Sequence, residues 1–211
     1  MKKSSASDLY DALEDFCLSQ SFRTVPVLQQ FRKETATGFV NVILSAPAPY
    51  PVLAELHLGV RIDLVETLVY QFTNGSISYS EHSTTLITTS GKITGNPYQR
   101  FSIPNEVALP RAVQQMQHFL EEQGFPFLER YSSIKTLDEL YNEHPTRKSS
   151  YLPHFFHRCL RGITLAKMAQ RPRWSDLVIS YRSALIAQGT PPLLIDQYDR
   201  LTDYLRTFSV N

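Results

Sequence analysis

The sequence predicts an α+β fold: a mostly antiparallel sheet of about four to five strands, packed by helices and followed by a helical C-terminal half. Three observations carry this. Apolar residues repeat with a period of two between Phe22 and Ile62, and at spacings of three and four beyond Pro104. Strands and helices are segregated along the chain instead of alternating as βαβ units. Of the 211 residues, 42% are hydrophobic and 19% charged, a composition that excludes disordered and collagen-like sequence. At about 150 residues per domain the length suggests a single domain, 1–211, in which a β-rich 20–104 and a helical 105–208 pack together. A chain of this size buries about 70% of its extended surface, so its core needs no metal or disulfide.

The first element is a helix over Ser7–Ser19. Leu9, Leu13, Phe16 and Cys17 form its apolar stripe, Ser7 is placed to cap it, and Asp8 and Asp11 suit the positive end of its dipole. Phe22–Lys33 and Gly38–Ser45 read as the arms of a hairpin joined by Glu34-Thr35-Ala36-Thr37. The prolines of Ala46–Pro51 lack ladder donors and mark a loop. Val52–Ile62 alternates most cleanly. Val52, Ala54, Leu56, Leu58, Val60 and Ile62 share one face, with Leu53, Glu55, His57, Gly59 and Arg61 on the other, facing water or a ligand.

Asp63 is placed to cap a short helix through Leu64, Val65, Leu68, Val69 and Phe72 that ends near Asn74-Gly75. His82–Ser90 has strand propensity, and Tyr98–Ile103 reads as a shorter strand. Pro110 fits the first turn of a helix carrying Leu109, Val113, Met116 and Leu120 and closed by Gly124. Phe125–Leu128 begins a connector, Leu137–Tyr141 a short helix, and Thr146–Ser150 an exposed loop. Pro153–Ala169, Trp174–Gln188 and a last helix capped by Thr190 complete the chain, with Leu194, Tyr198, Leu201 and Leu205 as the final stripe.

The N-terminus has a basic start with no apolar run behind it, and no stretch approaches the roughly 20 apolar residues of a membrane span. A soluble, cytoplasmic protein with no membrane partner is expected. Cys17 and Cys159 both fall in apolar helical patterns and are expected to be core thiols.

Several segments together resemble a group of small bacterial proteins classed only as domains of unknown function. They are Ser21-Phe22-Arg23, Phe31-Arg32-Lys33, Gly38–Ile43, Leu58-Gly59-Val60 and Phe119–Tyr131. The resemblance implies an α+β sheet backed by helices, and some members of the group lie beside toxin or secretion genes. It brings no catalytic residues with it.

The polar face of Val52–Ile62 is the first candidate site. Glu55, His57 and Arg61 project to one side, joined by Arg32 or Asn41 if the register allows, and could bind an anion or act as acid and base. The plainer reading is a solvated face with weak cross-strand ion pairs. The second candidate is Arg147–Arg173, where Arg147, Lys148, Arg158, Arg161, Lys167, Arg171 and Arg173 give a local +7 with no acidic residue, hidden by the total of +1. Arg158 and Arg161, at i and i+3, form a helix-surface pair able to meet an acidic protein surface. Nucleic acid is the lesser alternative, because the nearby aromatics lie on core stripes and form no stacking platform.

His154, His157 and Cys159 invite a metal reading, but the cysteine lies on another face and no further ligands complete a shell, so neither metal nor cofactor is expected. Ser90-Gly91-Lys92-Ile93 lacks the upstream glycine of a phosphate loop, and no nucleophile elbow or dinucleotide fingerprint is present. The resulting expectation is a non-enzymatic bacterial interaction protein, immunity-like in kind. The alternatives are an enzyme built on Glu55, His57 and Arg61, and a nucleic-acid binder using the basic stretch. Oligomeric state is not readable from the sequence.

Overall fold

A computed structural model describes residues 5–47, 50–73 and 81–209. It is α+β, with an antiparallel sheet and a helical C-terminal half. The chain forms two compact units that interleave in sequence. One comprises Met1–Val60 and Leu86–Arg130, the other Arg61–Thr85 and Tyr131–Asn211. This partition differs from the expected division near residue 104. Helices after Pro104 join the strands, whereas the early helix at Asp63 joins the C-terminal helices.

The first unit carries the sheet. The strands are β1 (Arg23–Val25), β2 (Gln30–Thr35), β3 (Gly38–Ser45), β4 (Val52–Ile62), β5 (Leu86–Thr89) and β6 (Phe101–Ile103). Their order is β1-β2-β3-β4-β5, and β6 pairs with the start of β4. The expected single arm Phe22–Lys33 is two strands. Pro26 supplies no ladder N–H and opens a 3₁₀ turn, Pro26–Leu28, and Gln29 closes it in the left-handed conformation. β1 therefore folds back antiparallel on β2. Thr35 pairs with Gly38, so the β2–β3 turn is only Ala36-Thr37.

Helix α1 (Ser5–Ser19) begins before Ser7, which sits within it. It covers the apolar sheet face, where Tyr10 stacks on Phe31 with ring centroids 4.5 Å apart. Phe31, Val42, Ala54, Leu56 and Leu58 on this face are fully buried. α2 (Asp63–Phe72) belongs to the second unit, and its expected end at Asn74-Gly75 lies outside the described residues.

β5 begins four residues later than the expected strand and stops at Thr89, which caps a helical turn, α3 (Ser90–Ile93). A Cβ on Gly91 would sit 2.6 Å from the Asn96 carbonyl, so this glycine permits a close backbone approach. α4 (Leu109–Phe119) does not stop at Gly124. It runs through a π-turn, Leu120–Gly124, into α5 (Phe125–Tyr131), the segment expected to be a connector. The wider π-turn accommodates Pro126, which has no N–H to give, and Gly124 lets the turn approach Leu58, whose Cδ2 would lie 3.1 Å from an added Cβ. The Phe125 ring stacks between Phe22, at 5.2 Å, and Phe16, at 6.0 Å.

The second unit is helical. α2 joins α6 (Ile134–Asn142), α7 (Phe155–Met168), α8 (Trp174–Ala187) and α9 (Pro192–Thr207). Its centre is α7, whose Cys159, Leu160, Ile163, Leu165 and Ala166 are fully buried together with Tyr181, Tyr198, Leu201 and Leu205. The expected caps at Asp63 and Thr190 are not made: Asp63 opens α2 and accepts from Arg61, and Pro191 stands at the N-cap of α9. Cys17 and Cys159 are buried free thiols, as their apolar positions predict.

Candidate functional site

Alternation along β4 turns Leu56 and Leu58 into the core and leaves Glu55 and His57 half-buried on the opposite face. His57 Nε2 lies 3.4 Å from Glu55 Oε2. The β4–β6 register pairs Val52 with Ile103 and Ala54 with Phe101, and one further step sets Arg100 opposite Glu55. Arg100 Nη1 accordingly lies 3.0 Å from Glu55 Oε1, and the same nitrogen donates to the Pro97 and Gln99 carbonyls. A groove of about 530 Å³ opens beside His57, walled by Leu28, Ile43, Ala46 and Pro47.

The expected third member is elsewhere. Arg61, four residues beyond His57 and therefore about 13 Å along the strand, is buried. It donates to Asp63 through Nε and to the Ser83 carbonyl and hydroxyl through Nη1. Arg32 and Asn41, the expected additions, are also buried and share the Gln30 side-chain oxygen, with the Arg32 guanidinium 3.8 Å from the Phe39 ring. The polar face thus presents Glu55 and His57 with Arg100. Nothing in the sequence flagged Arg100, because its partner is set by a three-residue strand with little pattern of its own.

The second candidate is corrected more strongly. Arg158 and Arg161 were expected as a surface pair, and both turn inward. Arg158 is 4% exposed and donates to the carbonyls of Tyr141, His144 and Arg147, satisfying the C-terminal end of α6 and the turn beyond it. Arg161 makes two parallel bonds of 2.8 Å to Glu66 on α2. Burial alone would raise the Glu66 carboxyl, but Arg161, Thr85 and Ser83 outweigh it and hold the group below the usual carboxylate range. Arg171 is likewise bound, with Nε 2.8 Å from Asp138 Oδ2. Of the seven cations between Arg147 and Arg173, these three serve internal bonds.

Around them lies a polar network that the sequence did not reveal. Asn142 donates to Asp138 Oδ1 and to the Gly162 carbonyl, and Tyr181 donates to the Tyr141 carbonyl and Asn142 Oδ1. Tyr141 in turn donates to the Thr85 carbonyl. Glu66 falls beside Val65 and Val69 on the buried side of α2, and a carboxylate in an apolar stripe was the available signal.

The His154 and His157 rings stand 6.4 Å apart. Among the described residues no group of three or more His, Cys, Asp or Glu side chains is placed to hold a metal ion. No helix among them is long and apolar enough to cross a membrane. In comparisons with known proteins, no family model, curated protein or solved structure matches the chain.

Proposed function

We propose that the chain is a non-enzymatic protein-interaction module that docks through α8 and the start of α9 on a partner whose apolar patch sits in an acidic surface. The observation that carries this is a contrast within the second unit. Arg158, Arg161 and the Nε of Arg171 are spent on internal bonds, while large apolar side chains stand in water. Ile179 is 63% exposed, Ile186 53% and Leu193 62%. The two isoleucines are seven residues apart, so they lie within about 20° of each other on one helix face. Exposed apolar side chains aligned in this way mark docking surfaces. Arg147, Lys148 and Arg173 remain exposed and are available to acidic groups of a partner. The partner-neutralising, immunity-like role implied by the resemblance is one form of this reading.

The test uses the purified chain as bait in extract of its native cell and with purified products of neighbouring genes. The expected result is a stoichiometric complex, weakened by salt, that is lost in the Ile179→Asp/Ile186→Asp variant while its circular dichroism spectrum is unchanged. Identical capture by both proteins would remove the reading. Concentration-dependent self-association abolished by the same substitutions would overturn it in favour of a second copy as occupant.

One observation favours the enzyme alternative: His57, with Glu55 behind it at 3.4 Å, lines a groove, an arrangement suited to general-base work. An activity found by substrate screening and lost in His57→Gln would establish it. The nucleic-acid alternative loses two of its named residues, because Arg158 and Arg161 are bonded internally, and is left with the exposed Arg147, Lys148 and Arg173.

A further inference from the structure

The turn between α7 and α8 combines two left-handed residues with a cleft at its side. Its backbone is strained at two places in four residues, Gln170 at φ 52° and Arg173 at φ 57°. Gln170 N–H donates to the Lys167 carbonyl and Arg171 N–H to the Ala166 carbonyl, the pattern of a Schellman cap. Glycine is the usual residue at its left-handed position, and glutamine stands there instead. Beside this turn lies a cleft of about 450 Å³, lined by Lys167, Gln170, Arg171, Trp174, Phe208 and Ser209 along with Ala166. That is within the size range of small-ligand sites, about 300–1,000 Å³.

The cleft is built to receive an anion. Asp138 grips Arg171 through Nε alone, with Oδ1 at 3.1 Å and Oδ2 at 2.8 Å, which fixes the guanidinium. Among the described residues, both Arg171 Nη groups and the Gln170 side-chain amide have no hydrogen-bond partner. The Lys167 ammonium touches only the Trp174 ring, 5.4 Å from its centroid. None of the cleft-lining residues is acidic. Trp174 is locked by its Nε1 bond of 2.8 Å to the Ile163 carbonyl, and it and Phe208 offer walls for a planar group. A guanidinium held in place by a carboxylate behind it, a second cation and an amide donor match the oxygens of a phosphate monoester better than a single carboxylate.

We infer that this cleft binds a small organic phosphate bearing a planar ring, of the nucleoside monophosphate class. The phosphate meets Arg171 Nη1 and Nη2, Lys167 and Gln170, and the ring lies against Trp174 and Phe208. Gln170 keeps its strained conformation because its amide serves the ligand. The site is independent of the docking surface above and stands or falls without it.

Trp174 is the chain's single tryptophan and a built-in reporter. Titration with adenosine monophosphate is expected to quench its fluorescence saturably and to raise the melting temperature. Adenosine or inorganic phosphate alone should bind at least about tenfold more weakly, since each lacks half of the contacts. Lys167→Met should weaken the nucleotide about tenfold. Gln170→Gly is the decisive variant: it should melt higher than wild type by about 2–4 °C, because glycine relieves the left-handed strain, and yet bind about tenfold more weakly. No fluorescence change up to about 10 mM nucleotide, equal affinity for nucleotide and inorganic phosphate, or a Gln170→Gly variant that binds as well as wild type would each overturn the inference.

Discussion

Glu66 and Arg161, 95 residues apart in the chain, meet side by side, with Nε–Oε1 and Nη2–Oε2 both 2.8 Å. Glu66 is 3% exposed and the Arg161 side chain 19%, so the pair is largely shielded from water. Removing either partner strands the other charge away from water, which costs about 3–5 kcal/mol. Glu66→Ala or Arg161→Ala should lose that much in urea unfolding. The double variant Glu66→Leu/Arg161→Met should recover most of it, because two apolar groups leave no unpaired charge. A double variant as unstable as the sum of the singles would contradict this account.

The same pair sets an acid limit. The folded Glu66 carboxyl is held below its ordinary value of 4.5 by Arg161, so its contribution is present above that value and lost as pH falls through the folded one. Wild-type urea midpoints should therefore drop below about pH 4.5. Glu66→Gln, weaker at neutral pH, should lose less over the same range, so that the two curves converge. Parallel curves from pH 7 to pH 3 would assign acid sensitivity to other groups.

Gly162 tests the polar network at the α6–α7 contact. Alanine at a helix interior gains about 1 kcal/mol over glycine from propensity alone. Here, however, its Cβ would stand 2.7 Å from Asn142 Oδ1 and 2.9 Å from the Tyr181 hydroxyl. Displacing those groups breaks bonds to a buried carbonyl and an amide, so the steric loss of about 1–3 kcal/mol wins. Gly162→Ala should melt below wild type, and an equal or higher melting temperature would show that the network yields freely.

Both cysteines should be silent in the folded protein. Each side chain is fully buried, and burial pushes the Cys17 thiol up to about 12 and Cys159 upward as well. Thiolate is the reactive form. A thiol reagent at pH 8 should label neither cysteine in the native protein and both in urea. Fast labelling of one under native conditions would reveal local opening around it.

Much of the fold was legible because burial imposes a period. β4 reads correctly from Val52 to Ile62, and α7, α8 and α9 are found within a few residues of their ends. The misreadings share a cause: a residue's local preference was overruled by what packs against it. Gly124 has the chemistry of a helix stop, but Leu58 needs the space that a side chain would fill. Pro26 breaks a strand whose flanks both favour sheet.

The site was less legible, since the partner of a charged side chain is a tertiary fact. Glu55 and His57, two residues apart on β4, share a face, with 3.4 Å between His57 Nε2 and Glu55 Oε2. Arg61 shares their parity yet is taken by Asp63, two residues away, and Ser83. Arg158 and Arg161 look like any exposed i, i+3 pair until the carbonyls at the end of α6 and the Glu66 carboxylate are brought to them.

The interleaving of the two units has a consequence for how the protein is made. Synthesis runs from the N-terminus, and Arg61–Thr85 leaves the ribosome before any of Tyr131–Asn211 exists. α2 must therefore emerge with Val65, Leu68 and Val69 uncovered and with the Glu66 carboxylate still hydrated. At ordinary translation rates the 95 residues to Arg161 take on the order of ten seconds. For that interval the nascent chain carries a bare apolar segment, a natural handle for chaperones, and the strands ahead of it wait for Leu86–Arg130 to complete their unit.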